Sequence, residues 1–205
     1  MAIPVLVVGE SGSGKTFSLK TFPPKEVGIF CVEKSTLPFK NEGFMLKKNS
    51  TYNTIKSTLA QPKLKAYVID DSQYLMANEF FDRAKEQGYG KFTDIALNFR
   101  NLIHFINTSV PDDIIVYFLH HSEYDNTSGK YKVKTAGKML DSQLTVEGCF
   151  NIVLFTEVSG NDHYFITQSD GSTTAKTPYE MFKDIKIPND LKAVDTAIRT
   201  FYNLI

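Results

Sequence analysis

Apolar residues are concentrated along the chain in short runs that are each followed by glycine or polar residues. Four such runs lie in residues 3–8, 27–32, 66–69 and 113–119 and are rich in β-branched and aromatic side chains. Runs of this length, without strict alternation of polar positions, are typical of strands that are buried on both faces of a parallel sheet. The pattern therefore predicts at least four buried parallel strands.

The segments between these runs have helical spacing or end at helix breakers. Helices are predicted from about residue 15 to the Pro23-Pro24 pair, and over residues 51–60, 73–87, 92–108 and 190–204. Near the C-terminus, residues 151–158 and 163–168 flank a Ser-Gly-Asn-Asp turn, which predicts an antiparallel hairpin with His163 as a structural residue of its second strand. With no internal repeat and no visible linker, residues 1–205 are predicted to form one α/β domain, a mostly parallel sheet flanked by helices.

The segment after the first strand matches the pattern GxxxxGK[ST] in full, which identifies a P-loop. Backbone N–H groups of such a loop surround phosphate oxygens, and the lysine adds a positive charge toward the β and γ phosphates. The threonine hydroxyl is a ligand for Mg²⁺. The predicted nucleotide-binding residues are Gly9, Glu10, Ser11, Gly12, Ser13, Gly14, Lys15 and Thr16, and the predicted ligand is ATP with Mg²⁺.

Acidic residues follow two of the predicted strands. Asp70 ends the 66–69 strand, where it would face the P-loop and bind the metal together with Thr16. Either Glu33 or Asp71 could activate the attacking water. Glu33 is favoured because it ends a separate strand, whereas Asp71, directly after Asp70 in an extended chain, is expected to point away.

Two histidines, His120 and His121, end the 113–119 strand. One of them is expected to face the nucleotide and to sense the γ-phosphate, and the other to face away. A zinc site is not indicated, because further ligands at suitable spacing are missing.

The composition is that of an ordinary folded protein, with 42% hydrophobic residues and 23 basic against 23 acidic residues. Zero net charge excludes a protein that is basic over its whole surface, but residues 43–69 and 126–140 contain lysines and no acid. Two distant cysteines, among apolar neighbours, indicate buried free thiols. With neither a signal peptide nor a stretch that could span a membrane, a cytoplasmic protein without a membrane partner is expected.

The order of these elements resembles the RecA-like ATPases, and most closely the small phage-encoded ATPases regarded as single-strand-annealing recombination proteins. The resemblance spans about residues 3–176: the P-loop, VGIFCVEKS with its glutamate, AYVIDDS with its aspartate, VYFLHHSE with its polar strand end, and a basic, glycine-containing loop. It implies a Mg²⁺-dependent ATPase that acts on single-stranded DNA, in the cytoplasm of a bacterial host.

The resemblance also implies roles for individual residues. Glu33 would activate water, and His120 or His121 would couple ATP to the loop at residues 126–140. Family members form rings or filaments, so a homo-oligomer is expected in which Lys176 completes the site of a neighbour. The implied catalytic set is thus Lys15, Glu33, His120, His121 and Lys176, and the DNA-binding residues are Lys130, Tyr131, Lys132, Lys134 and Lys138.

Two other functions remain open from the sequence. A small nucleoside or nucleotide kinase would suit this length, but such enzymes use several arginines around the phosphates, and this chain has three scattered ones. A nucleotide-binding scaffold with little hydrolysis would need the P-loop alone. A GTPase is disfavoured, because no NKxD sequence for guanine is present.

Overall fold

A computed structural model describes residues 1–33, 36–135 and 145–204 of the chain. The strands are β1 (Ile3–Gly9), β2 (Val27–Cys31), β3 (Met45–Lys47), β4 (Ala66–Asp70), β5 (Ile115–Asp125), β6 (Lys130–Val133), β7 (Ile152–Ser159), β8 (Asp162–Ile166) and β9 (Lys186–Pro188). The α-helices are α1 (Tyr52–Leu59), α2 (Tyr74–Asp82), α3 (Gly90–Ser109) and α4 (Leu191–Phe201), and two 3₁₀ helices cover Thr16–Thr21 and Val146–Cys149.

The strands form one sheet in the order β3-β2-β4-β5-β1-β7-β8-β9, and β6 pairs with the far end of β5. The six strands from β3 to β7 are parallel, whereas β8 is antiparallel to both β7 and β9. This arrangement confirms the predicted mostly parallel sheet with an antiparallel hairpin near the C-terminus. Because β1 lies centrally, the loop that follows it lies between the carboxyl ends of β5 and β7.

Apolar side chains fill both sides of the sheet. On one side, Phe99 and Ile103 of α3 pack with residues of α1 and α2 against the sheet. On the other side, Leu19 of the first 3₁₀ helix packs with Val194 and Ile198 of α4. The central strands are thus covered on both faces, which is why they are continuously apolar in the sequence.

Local sequence signals explain where several helices begin and end. Thr51 caps α1 by accepting a hydrogen bond from the Thr54 N–H, and Asp190 caps α4 by accepting one from the Ala193 N–H. The first helix is a 3₁₀ helix of six residues, and it stops at Phe22, whose extended backbone precedes Pro23.

The structure departs from the predicted elements at several places. The helix predicted over residues 73–87 ends at Asp82, and the 3₁₀ helix Val146–Cys149 was not predicted. The three-residue strands β3 and β9 were not predicted, because so short a segment carries no periodic signal. Strand β5 also does not end at its two histidines but continues to Asp125, where it pairs with β6.

Both cysteines are free thiols, as predicted: Cys31 is buried in β2 and Cys149 is half-buried. Burial raises the pKa of the Cys31 thiol to about 11. None of the helices within the described ranges is long and apolar enough to cross a membrane.

Candidate functional site

The loop between β1 and the first 3₁₀ helix has the backbone that its glycines predict. Gly12 and Gly14 have φ values of 79° and 97°, a region that side chains with a Cβ rarely adopt. Within the loop, the Ser13 hydroxyl donates a 2.7 Å hydrogen bond to the Glu10 carbonyl. The result is a compact turn that directs the chain into Lys15 and Thr16 at the start of the helix.

Gly9 is needed for a different reason, which is close packing against β7. A Cβ on Gly9 would lie 1.7 Å from Thr156 Oγ1 and 2.6 Å from Ser13 Oγ. The Thr156 hydroxyl itself donates a 2.6 Å hydrogen bond to Ser13 Oγ. Thr156, which the sequence did not indicate, therefore holds the loop against the sheet.

We expect Gly9→Ala to destabilise the protein by about 1–3 kcal/mol, the usual cost of overpacking a tight site. Adding Thr156→Ala to the Gly9→Ala protein should restore part of the lost stability. It removes Thr156 Oγ1, the atom nearest to the new Cβ, but leaves Ser13 Oγ in place. Denaturant unfolding of both proteins measures the effect. Gly12→Ala is the matched control, since no atom lies within 4 Å of its added Cβ and only the cost of the positive φ applies. Equal losses for the two glycines would contradict the steric explanation.

Lys15 lies beneath the loop and is only 6% exposed. Its ammonium donates 2.7 Å hydrogen bonds to the carbonyls of Gly9 and Glu10. These bonds hold the positive charge at the centre of the loop, where backbone N–H groups also favour an anion.

Thr16 and Asp70 come together although they are 54 residues apart in sequence. The Thr16 hydroxyl donates a 2.9 Å hydrogen bond to Asp70 Oδ1 at the carboxyl end of β4. A hydroxyl beside a buried carboxylate is a suitable ligand pair for Mg²⁺, which usually takes one or two protein ligands and completes its shell with water and phosphate oxygens. Among the residues that the structure describes, no group of three or more histidine, cysteine or acidic side chains could hold a metal by itself.

A cavity of about 460 Å³ opens beside the loop. Lys15, Thr16 and Asp70 border it, as do residues 36–38 and His163. Positive charge, a hydroxyl and a carboxylate thus face the same space.

Asp71 also borders this cavity, contrary to the expectation that it would point away from Asp70. The reason is its backbone: the φ of Asp71 is 59°, so the chain is not extended there and the side chain turns back toward the loop. His121 Nε2 lies 3.3 Å from Asp71 Oδ1 and donates to it. Buried Asp71 and half-buried His121 therefore form a polar pair at the cavity wall.

Glu33, the acid that the sequence favoured for water activation, lies elsewhere. Its side chain is exposed, it is not among the residues that border the cavity, and Oε2 accepts a 3.4 Å hydrogen bond from Asn78 of α2. The structure thus brings Asp71, and not Glu33, to Asp70 and Lys15.

His120 is fully buried and does not border the cavity, so His121 is the histidine on the cavity side of β5. The Nε2–H of His120 donates a 2.8 Å hydrogen bond to the Lys134 carbonyl, and Nδ1 of His120 lies 2.9 Å from the Ser72 hydroxyl. Since a carbonyl can only accept, the neutral ring carries its proton on Nε2 and accepts from Ser72. His120 thereby joins the segment after Asp70 to the segment that follows β6.

Burial lowers the pKa of His120 to about 4, and the nearby His121 and Lys15 act in the same direction. The unfolded chain has an ordinary histidine pKa near 6.5. Below pH 6.5 the unfolded chain therefore binds a proton at this histidine that the folded protein does not bind. The free energy of unfolding has its full value above pH 6.5 and decreases as the pH falls from 6.5 toward 4, by an amount on the order of 3 kcal/mol.

We expect His120→Gln to weaken this pH dependence, because glutamine can still donate to the Lys134 carbonyl but does not titrate. The measurement is the free energy of unfolding between pH 7 and pH 4.5 for the variant and the unaltered protein. His104→Asn removes an exposed histidine from α3 and should keep the original slope. A His120→Gln profile that parallels the unaltered protein would contradict the assignment.

Most of the predicted DNA-binding residues lie on the hairpin of β5 and β6. Lys130, Tyr131 and Lys132 belong to β6, where the Tyr131 ring lies 5.1 Å from that of Tyr124 across the hairpin. Lys134 is exposed just beyond the strand, and Lys138 lies outside the described residues.

Lys176 lies beside this hairpin and not at the cavity of its own chain. It pairs through its backbone with Val153 of β7, and its side chain borders a cleft of about 480 Å³ together with Lys130 and Lys132. Among the described residues that border this cleft, the one acid is Glu147, which accepts hydrogen bonds from the Val133 N–H and the Thr174 hydroxyl. Three lysines that are distant in sequence thus share one surface.

Neither a scan against models of protein families nor a search of curated proteins finds a match to this chain.

Proposed function

We propose that this protein is a Mg²⁺-dependent ATPase that acts on single-stranded DNA in phage-type recombination or replication. The observation that carries the proposal is the convergence of Lys15 with the Thr16–Asp70 pair on one cavity beside the P-loop. This combination supplies a binding charge for phosphates and ligands for the metal that accompanies them.

Hydrolysis also needs a group that orients or deprotonates water. We assign this role to Asp71, because its carboxylate borders the cavity and is held by His121. Glu33 would have to leave Asn78 and enter the cavity to act in the same way. His121 is then a positioning residue that fixes the carboxylate, and through Asp71 it links the cavity to β5.

The lysine cleft supports the proposed DNA contact. Lys130, Lys132 and Lys176 can approach successive phosphates, and Tyr124, which is 52% exposed, offers a ring on which a base can stack. His120 joins the segment after Asp70 to Lys134, so that nucleotide and DNA can influence each other through one buried side chain. A homo-oligomer along the DNA completes the proposal.

The decisive experiment measures ATP hydrolysis with Mg²⁺ in the presence and absence of single-stranded DNA. We expect turnover that requires Mg²⁺ and that increases when DNA is added. Turnover that DNA does not change, together with no salt-sensitive DNA binding, would contradict the DNA-linked part of the proposal. Binding of Mg²⁺-ATP without turnover would favour the scaffold.

Lys176 offers a separate test of the cleft. We expect Lys176→Ala to weaken DNA binding and to reduce the slope of log affinity against log salt by about one unit, as for the loss of one phosphate contact. Lys130→Ala should behave in the same way, and Lys25→Ala, an exposed lysine outside the cleft, is the control. A Lys176→Ala protein that binds DNA normally but loses DNA-stimulated ATPase would instead support its role at a neighbour's site.

The kinase alternative is less well supported, because two of the three arginines have structural partners. Arg83 pairs with Glu79, Glu86 and Asp94. Arg199 binds the buried Asp195 and the carbonyls of Asp113 and Lys65. Phosphate transfer from ATP to any of a panel of nucleosides and nucleoside monophosphates would revive this alternative.

A further inference from the structure

His163 contacts the P-loop from β8, two strands away from β1 in the sheet. It lies in β8, 150 residues from Ser13, and its Nδ1 is 3.2 Å from the Ser13 carbonyl oxygen. A Cβ on Gly14 would lie 2.8 Å from the same nitrogen, so the ring packs directly on this glycine. The carbonyl of His163 accepts a 3.2 Å hydrogen bond from the Asn189 N–H, which ties this residue to the segment after β9. The imidazole is therefore fixed against the phosphate-binding loop.

This contact determines what the second ring nitrogen can do. Because the Ser13 carbonyl only accepts, Nδ1 carries the proton, and Nε2 of the neutral ring is left as an acceptor. Within the described part of the chain, Nε2 has no protein partner, and it is not one of the buried polar atoms without a partner. Since His163 borders the cavity, the proposed nucleotide would lie beside a side chain with an accessible acceptor.

The sheet order indicates which end of the nucleotide this acceptor would meet. Asp70, on β4, lies two strands to one side of β1, and His163, on β8, lies two strands to the other side. At about 4.8 Å per strand, each is roughly 10 Å from the P-loop strand. A Mg²⁺ ion held by Thr16 and Asp70 would bring the β and γ phosphates to the first side. The nucleoside would then extend toward His163 and toward Phe17, whose ring centroid is 6.1 Å from that of His163.

We propose that His163 binds the nucleoside end of the triphosphate by accepting, at Nε2, a hydrogen bond from a donor on the sugar or the base. This role rests on the proposed nucleotide binding and adds a specificity-determining residue to it. The donor is either a ribose hydroxyl or an exocyclic amino group.

Two substitutions test the roles of the two ring nitrogens of His163 separately. In His163→Asn the amide can replace Nδ1 as the donor to Ser13, but nothing replaces Nε2. In His163→Gln the longer side chain carries a carbonyl oxygen to the position of Nε2. We expect His163→Asn to weaken Mg²⁺-ATP binding by about 3–10-fold, the usual cost of one hydrogen bond, and His163→Gln to recover most of it.

Titration calorimetry in mildly alkaline buffer, with ATP, 2′-deoxy-ATP, purine riboside triphosphate and inorganic tripolyphosphate, tests the proposal. Affinity for tripolyphosphate should be unchanged in His163→Asn, because it has no nucleoside. The donor is the 2′-hydroxyl if 2′-deoxy-ATP binds both proteins equally, the amino group if purine riboside triphosphate does, and the 3′-hydroxyl if neither does.

Two results would overturn this role. One is equal ATP affinity in His163→Asn and the unaltered protein, and the other is an equal loss for ATP and tripolyphosphate, which would make His163 a support of the loop only. Failure of the unaltered protein to bind any of the four ligands would overturn nucleotide binding itself, which is a distinguishable outcome.

Discussion

Replacing Asp71 with asparagine is expected to lower kcat for ATP hydrolysis by about 10²–10⁴-fold, the range for loss of a general base. Asparagine adopts the positive φ of this position at least as readily as aspartate, so the backbone should be preserved. Binding of Mg²⁺-ATP should change little, because Lys15, Thr16 and Asp70 remain. Steady-state turnover and ATP titration of the same preparation distinguish the two effects.

Glu33→Gln is the variant to compare with Asp71→Asn, since it removes the charge of the acid that the sequence favoured for activating water. With Glu33 exposed and outside the cavity, we expect turnover within about twofold of the unaltered protein. The reverse result, a large loss for Glu33→Gln and a small one for Asp71→Asn, would return the role to Glu33. It would also require the segment after β2 to close over the cavity when ATP binds.

Lys15→Ala should have a comparably large effect, on both binding and turnover. Removing one preorganised hydrogen-bond donor that stabilises the charge developing in the transition state typically lowers kcat by about 10²–10³-fold. Loss of a hydrogen bond to a charged phosphate should in addition weaken the affinity for ATP by about 10–100-fold. ATP titration and turnover measure the two parts.

The control for this variant is Lys25→Ala, which removes an exposed lysine between the first helix and β2. It should retain normal binding and turnover. Thermal unfolding of Lys15→Ala is also needed, because the ammonium is bound by two loop carbonyls. A folded Lys15→Ala protein with unchanged ATP affinity would contradict the proposed phosphate site.

The buried strands were predictable because each is a short, nearly continuous apolar run. Strands β1, β2 and β4 lie within about one residue of their predicted bounds. Strand β5 was predicted too short, because its polar last part, residues 122–125, pairs with β6 outside the apolar core. Hydrophobic patterns reveal strands through burial, and this part of β5 is largely half-buried.

Within the candidate site, the placement of the glycine-containing loop after β1 and of Asp70 at one cavity was predictable, because the loop is a contiguous motif after a strand and Asp70 is at a strand end. Which of Asp71 and Glu33 borders the cavity was not predictable, since it depends on one backbone angle, the φ of Asp71. His163 and Thr156 were also missed as site residues. They reach the loop only because β7 and β8 lie beside β1, and sequence distance gives no sign of this.

By itself, the sequence determined the class of fold and the positions proposed to bind phosphate and metal, because local patterns and short motifs encode these features. The tertiary structure alone decided which side chains surround that loop. Strand order and register bring Asp71, His121 and His163 to one cavity and gather Lys130, Lys132 and Lys176 in one cleft. The physical reason is that these neighbours are set by long-range strand pairing and by a single left-handed backbone position, neither of which leaves a periodic signal along the chain.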